Sequence, residues 1–421
     1  MTKASLRLLY SLAVLCCTSL LIPNAAFAQH YIQTNLVSDL PGMAAVKNPN
    51  LVNPWGLARS TGSPWWVSDN GAGVSSLYDG TGTPRSLVVT IPPPPKGSAP
   101  SAPTGVVFNG SPDFVISKAK GGDGKPASFI FVTEDGTIAA WDGGAGTNAV
   151  LLVDHSPDAV YKGCTTADIK GVRYLYVANF RSGRIEVYDT NFNPVDFSGD
   201  RDHYGDHDKD DHDGDHDRDD HYGDHDRDNH DGPFSRRAFD DDRIPQGFAP
   251  FNVQNIGGSL FVTYAKQDAT KHDDDAGPGN GFVDIYSPSG RLETRLQHGD
   301  WLNSPWGVVW TPRDFGEFSN RVLVGNFGSG EIAAYDGFTG RFVGLVKTYD
   351  DPVALTGEHV LTIDGLWSLT FGNSAKGVSG TGAGSAGPYN SLFFTAGINH
   401  EQDGLFGTLT AVTAEQDGDE E

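Results

Sequence analysis

"YLYVANFRSGRIEVYD" (residues 174–189) decides the fold. It begins as an apolar strand that ends in the polar Asn179. A turn led by Gly183 follows, and then a second strand that places Tyr188 five residues after the glycine. The same glycine-to-aromatic spacing recurs at Gly73/Tyr78, Gly136/Trp141, Gly281/Tyr286 and Gly330/Tyr335. A weaker copy, Gly404/Leu409, lacks the aromatic. Each copy follows an apolar strand: "WWVSDN", "FIFVTED", "YLYVANF", "LFVTYAK", "VLVGNF" or "LFFTAGINH". A further strand lies upstream of each: "PWGLA", "PTGVVF", "CTTADI", "PFNVQNI", "PWGVVW" or "LWSLTF".

Strand, turn, strand, glycine-led turn, strand is a β-meander, and no stretch sustains a helical period, so almost no helix is expected. One meander buries a single face, whereas meanders packed around an axis bury both and leave only short edges. The expectation is an all-β fold, a six-bladed β-propeller of four-stranded blades, favoured over a sandwich or stacked barrels by six ordered copies of one unit. Glycine leads the turn because positive φ costs it little, and the aromatic five residues on is expected to fill the gap between blades. The sixth unit runs out one strand short, while "YIQTNLVSD" (residues 31–39) has no unit of its own. That N-terminal strand is expected to close the last blade.

The segments "TNLVSDLPG", "NPWGLA", "PWWVSDNG", "YVANFRSGRIEVYD", "NFNPV", "GFAPFNVQNIGG", "FVTYAKQD", "GPGNGFVD" and "SPWGVVW" carry a resemblance. The chain is similar to a family of secreted bacterial six-bladed propellers, some found beside exopolysaccharide-associated sorting systems. The resemblance spans residues 29–421 apart from an Asp/His-rich insert and an acidic tail at 414–421. It implies the architecture and an extracytoplasmic setting, and it brings no established activity. Some relatives carry a C-terminal anchor; with the acidic end "AEQDGDEE" none is expected here.

Residues 1–28 read as a secretory signal: Lys3 and Arg7, an apolar run over 8–22, then Ala26-Phe27-Ala28 as the cleavage site. The run of 15 residues is short for a bilayer span, and no membrane span is expected once it is removed. The mature chain would keep only Cys164, which reads as a small buried residue in a core that no disulfide supports. Loss of Lys3 and Arg7 takes the net charge from −24 to −26, which repels nucleic acid and attracts cations. A secreted or periplasmic monomer is expected.

Between residues 199 and 232 stand fifteen Asp, seven His and four Lys or Arg, in a nine-residue repeat such as "GDHDKDDHD". Lacking Leu, Ile, Val and Phe, the insert is expected to be disordered without ligand. One reading is a solvated spacer grown by repeat slippage. The reading preferred is weak, multi-site binding of Zn, Cu or Ni by His203, His207, His212, His216, His221, His225 and His230 with Asp206, Asp215 and Asp224. A calcium-binding β-roll is excluded, because each turn of a roll needs an apolar residue. The neighbouring Asp residues should raise the imidazole pKa values, so affinity should fall as pH drops.

The turn after each second strand lies on one face of a propeller, and it brings Asn70, Glu134, Asn179, Asp268, Asn326 and His400 toward the channel mouth. These are the candidates for a central site, for example one holding Ca, as in sugar-lactone hydrolases of similar shape. The loop "KQDATKHDDDAGPGNG" (residues 266–281) adds His272, Asp273, Asp274 and Asp275. The competing reading is that these side chains satisfy local turns. Trp55, Trp306 and Trp367, beside Phe251 and Cys164, read as buried core more readily than as a sugar-stacking rim. "PPPPKGSAPSAP" (residues 92–103) reads as a stiff loop between blades. G-x-S-x-G, H-E-x-x-H and phosphate-loop motifs are missing, and no nucleotide or organic cofactor is expected.

The expected function is a secreted binding or scaffold protein with a cation-binding Asp/His-rich loop, its partners being cations and an envelope polysaccharide or another protein. The alternative is a metal-dependent, lactonase-like hydrolase that uses calcium or zinc in the central channel.

Overall fold

In the computed structural model the described residues are 30–197, 238–351, 356–374 and 385–412. They form six small blade sheets, antiparallel but for one edge strand, and one separate two-stranded hairpin. Blade one is Pro54–Ala58, Trp65–Asp69, Val74–Tyr78 and Pro84–Thr90; blade two is Pro103–Phe108, Phe129–Thr133, Thr137–Trp141 and Val150–Asp154. Blade three is Tyr161–Ile169, Val172–Asn179, Arg184–Tyr188 and Pro194–Val195; blade four is Phe248–Ile256, Ser259–Lys266, Gly281–Tyr286 and Leu292–Arg295. Blade five is Pro305–Trp310, Val322–Asn326, Ile332–Tyr335 and Phe342–Leu345. Blade six takes Leu366–Phe371, Leu392–Ala396 and Leu405–Val412 from the end of the chain and His30–Ser38 from its beginning. The first strand of every blade touches the first strands of both neighbours, and blade six touches blade one, so the ring is closed.

The closing strand behaves as expected. His30–Ser38 pairs antiparallel with Leu405–Val412 in a register that runs from His30 opposite Val412 to Ser38 opposite Leu405. Tyr31 locks it: its hydroxyl donates to the Phe315 carbonyl at 2.9 Å and accepts from the Phe318 amide at 3.1 Å. Two features lay outside the expectation. Val46–Lys47 adds a parallel edge to blade six, and a hairpin of Lys347–Asp351 and Thr356–Val360 stands between blades five and six.

The recurrent aromatics fill the inter-blade gaps. Tyr78 packs with Phe393 and Phe406 of blade six, Tyr188 with Ile130 and Ile138 of blade two, and Tyr286 with Tyr176 and Ala178 of blade three. Tyr335 packs with Phe261 and Val283 of blade four, while Trp141 is half-buried. Burying each ring contributes roughly 1.5–3 kcal/mol. The turn glycine has positive φ in blades one, two, three and five. In blade four it does not: Gly281 is a strand residue, needed because a Cβ there would collide with Pro305.

Every inner strand carries a register shift near its start: between Pro54 and Leu57, Pro103 and Val106, Tyr161 and Gly163, Pro250 and Asn252, Pro305 and Gly307, and Leu366 and Leu369. A bulge re-aims the side chain it carries. The residues so placed are Trp55, Thr104, Lys162, Phe251, Trp306 and Trp367. Trp55, Phe251, Trp306 and Trp367 come from four blades yet form one cluster with Phe180 and Phe327, which places them at the axis. The slot in blade three therefore belongs to Lys162. Its inner strand begins at Tyr161, earlier than "CTTADI" suggested, and Cys164 lies two residues farther along.

Candidate functional site

The three axial tryptophans are core. Trp55, Trp306 and Trp367 are 2%, 4% and 1% exposed, and Trp55 stacks on Trp367 with ring centroids 3.4 Å apart. Lys162 rests on this plug. Its ammonium nitrogen is 5.0 Å from the Trp55 ring, 5.8 Å from Phe180 and 5.9 Å from Phe251. An ammonium that is 1% exposed needs compensation. It ion-pairs with Glu134 Oε1 from blade two and, at 3.2 Å, with Asp273 Oδ1 from the long loop of blade four. Burial alone would lower the Lys162 pKa, but Glu134 and Asp273 outweigh it and the group is held above its ordinary value.

A chain of hydrogen bonds extends from this pair around the mouth. Asn70 Nδ2 donates to Glu134 Oε2 at 2.8 Å, and Asn53 Nδ2 donates to Asn70 Oδ1 at 3.3 Å and to Glu401 Oε1 at 3.1 Å. Trp367 Nε1 donates to Asn53 Oδ1 at 3.1 Å, tying the ring to the plug. On the other side, His272 Nδ1 lies 3.0 Å from Asp273 Oδ1. Glu401 arrives on a turn whose backbone is left-handed at Asn399, His400 and Glu401, with φ of 55°, 54° and 62°. That conformation costs an L-residue roughly 1–2 kcal/mol.

The charges polarise one another. Burial, followed by repulsion from Glu134, raises the Glu401 pKa to about 7. The hydrogen bond to Asp273 raises His272, and the same bond holds Asp273 well below the usual carboxylate range. Burial raises Asp274 and Asp135. Glu134, His272 and Asp273 each offer a ligand atom within 4.8 Å of the others. Their oxygens already hold Lys162 and Asn70, so a metal ion there would have to displace an ammonium.

Of the six candidate channel residues, Asn70 and Glu134 meet in this ring. Asn179 is engaged by its own blade: Nδ2 donates to Glu186 Oε1 at 2.6 Å, and Oδ1 accepts from the amides of Val160 and Ser182. Asn326 donates to the carbonyls of Trp301 and Glu331 and accepts from the Asn303 amide. Asp268 caps its loop, accepting from the His272 amide at 3.0 Å and from the Thr270 hydroxyl at 2.7 Å. His400 is exposed, and the next residue, Glu401, enters the site in its stead. Lys162, Glu401 and Asn53 were not anticipated. For Lys162 a signal existed, since "YKG" at 161–163 aligns with "PWG" at 54–56 and 305–307.

The histidines His203, His207, His212, His216, His221, His225 and His230, with Asp206, Asp215 and Asp224, lie outside the described residues, as do the signal segment and the acidic tail. The residues that flank the insert, Phe197 and Ala238, belong to the crossing from blade three to blade four. No helix among the described residues is long and apolar enough to cross a membrane.

No protein-family model matches the chain. Among curated proteins it is similar to two of Acanthamoeba polyphaga mimivirus that are named as uncharacterised proteins. One is 28% identical over 386 residues, covering 89% of this chain and 84% of the relative; the other is 27% identical over 384 residues, covering 89% and 78%. These relatives are viral, where the resemblance read from the sequence pointed to bacterial proteins. Among solved structures the fold is similar to a streptogramin B lyase, with a TM-score of 0.45 and 10% identity over 92% of this chain and 99% of that one. It is similar also to an α-L-arabinofuranosidase of Fusarium graminearum, with a TM-score of 0.45 and 11% identity over 90% and 98%.

Proposed function

We propose that the chain is an exported binding or scaffold propeller whose Asp/His-rich segment takes up divalent transition-metal ions. The mature surface then engages an envelope polysaccharide or a protein partner. One observation supports this over a metal-dependent hydrolase: the axial place between Glu134 and Asp273 is filled by the Lys162 ammonium above an aromatic plug. A hydrolytic metal needs carboxylates free to bind it and an open position for water. Here both carboxylates are engaged by one tethered cation. Export rests on the signal-like residues 1–28, and metal uptake on the alternating histidine spacing of 199–232.

The test is a pair of assays on the purified mature chain. Calorimetric titration with zinc at neutral pH should release heat, and that heat should vanish when residues 199–232 are deleted. Lactone and aryl-ester substrates supplied with calcium or zinc should show no turnover. Metal-dependent turnover abolished by Glu134→Gln would establish the hydrolase instead.

A further inference from the structure

Off the axis, between blades two and three, four donor side chains converge on the mouth-side face. His155 comes from the crossing after Val150–Asp154, Tyr161 opens the inner strand of blade three, and Glu186 and Tyr188 lie on its third strand. All six separations among their donor atoms are short. Tyr161 Oη is 2.8 Å from His155 Nδ1, 2.8 Å from Glu186 Oε2 and 3.0 Å from Tyr188 Oη. Tyr188 Oη is 2.6 Å from Glu186 Oε2 and 3.3 Å from His155 Nδ1, and the imidazole is 3.8 Å from the carboxylate. Ligand atoms that share one transition-metal ion at about 2.0–2.1 Å stand about 3 Å apart when adjacent.

We propose that His155, Tyr161, Glu186 and Tyr188 form a binding site for a ferric ion. Two phenolates and one carboxylate supply three negative charges to a trivalent cation, with imidazole as the neutral fourth ligand. Hard oxygen donors with one nitrogen suit Fe(III) better than the softer divalent metals. Binding forms four metal–ligand bonds and sends the two phenolic protons to solvent, with no change of oxidation state. Water or a small anion completes the octahedron from the cleft that His155 and Glu186 line with Arg184, Asp196 and Asp240. The two tyrosines are buried, whereas the side chains of His155 and Glu186 are 42% and 28% exposed, which leaves an entry path. Asn179 holds the other carboxylate oxygen at 2.6 Å and orients the ligand, as an outer-shell group does.

Blade four shows what the same chemistry looks like when it is purely structural. There Tyr264 and Tyr286 meet at 2.9 Å beside Asp284, and Arg295 neutralises that carboxylate at 2.7 Å. In blade three the cationic partner is missing: among the described residues, His155 is the basic side chain within ion-pair distance of Glu186. Burial and then Glu186 push both phenols above their ordinary pKa, as burial does for Tyr264 and Tyr286 in blade four.

The test adds ferric citrate to the purified full-length chain and records its visible spectrum. A phenolate-to-iron charge-transfer band should appear and should vanish in the Tyr161→Phe/Tyr188→Phe double variant, which leaves Tyr204 and Tyr222 of the acidic insert in place. Zinc alone should give no band. Should the double variant not fold, Glu186→Gln and the half-exposed His155→Ala serve instead, each lowering iron retention against citrate roughly tenfold or more. No band, a band undiminished in the double variant, or unchanged retention in both single variants would overturn the assignment.

Discussion

Asn53 and Glu401 are 348 residues apart and hydrogen-bond at 3.1 Å, joining the segment before blade one to the last blade at the seam where the propeller closes. From that seam the contacts run without a break through Asn70, Glu134, Lys162 and Asp273 to His272. The mouth is thus one polar ring built on an aromatic plug, and its parts should respond together.

The carboxyl of Glu401 makes stability depend on pH. Its folded pKa of about 7 lies above its ordinary value of 4.5. Between those pH values the folded state keeps a proton that the unfolded chain has lost, so this contribution is full below about 4.5 and falls away as pH rises to about 7. His272, also raised, acts in the same direction near the top of that window. Asp273, lowered, acts oppositely and only in acid. Urea midpoints taken across pH 4–8 should decline by up to about 3 kcal/mol in stability, and Glu401→Gln should flatten the decline. A variant with an unchanged slope would remove Glu401 from the ring.

Lys162→Met should cost about 3–5 kcal/mol, because it leaves the half-buried Glu134 without its counter-charge. Glu134→Gln added to it should restore part of the loss. The Asp273 carboxylate is 65% exposed, so Asp273→Asn should cost no more than about 1 kcal/mol. Urea denaturation of the three variants separates these terms.

The bulged inner strands leave no room for a methyl group. A Cβ on Gly307 would lie 2.6 Å from the Trp367 carbonyl and 3.1 Å from the Leu369 amide, while one on Gly143 meets nothing within 4 Å. Gly307→Ala should therefore destabilise by about 1–3 kcal/mol and Gly143→Ala by less than about 0.5. Thermal melts of the two variants make the comparison.

Tyr31→Phe removes one hydroxyl that serves two buried backbone groups, at Phe315 and Phe318. A loss of about 1–3 kcal/mol is expected. Faster hydrogen exchange should follow along residues 30–38 and 405–412, the strands it pins.

What the sequence made legible was whatever repeats. The glycine-to-aromatic spacing located the blades, and the orphan strand at 31–39 foretold the closure because hydrophobic alternation and turn chemistry are local. The polar ring was harder to read. Lys162 occupies a slot that is Trp in three blades, so a pattern of like residues passes over it, and the bulge that aims it shows only as register. Glu401 and Asn53 meet through chain closure, which spacing along the sequence does not reveal. Asn179, Asp268 and Asn326 follow the second strands as the repeat implies, but turns claim short polar side chains first. The hairpin of Lys347–Asp351 and Thr356–Val360 has no counterpart in the other blades, so the repeat gave no reason to expect it.

Elemental analysis of the purified mature protein after zinc loading and dialysis, with and without residues 199–232, tests the central claim most directly. The full chain should retain several equivalents of zinc and the shortened propeller close to none, both folded and neither hydrolysing a lactone. Equal zinc in the two forms, lost instead on Glu134→Gln, would put the metal at the axis and contradict the account.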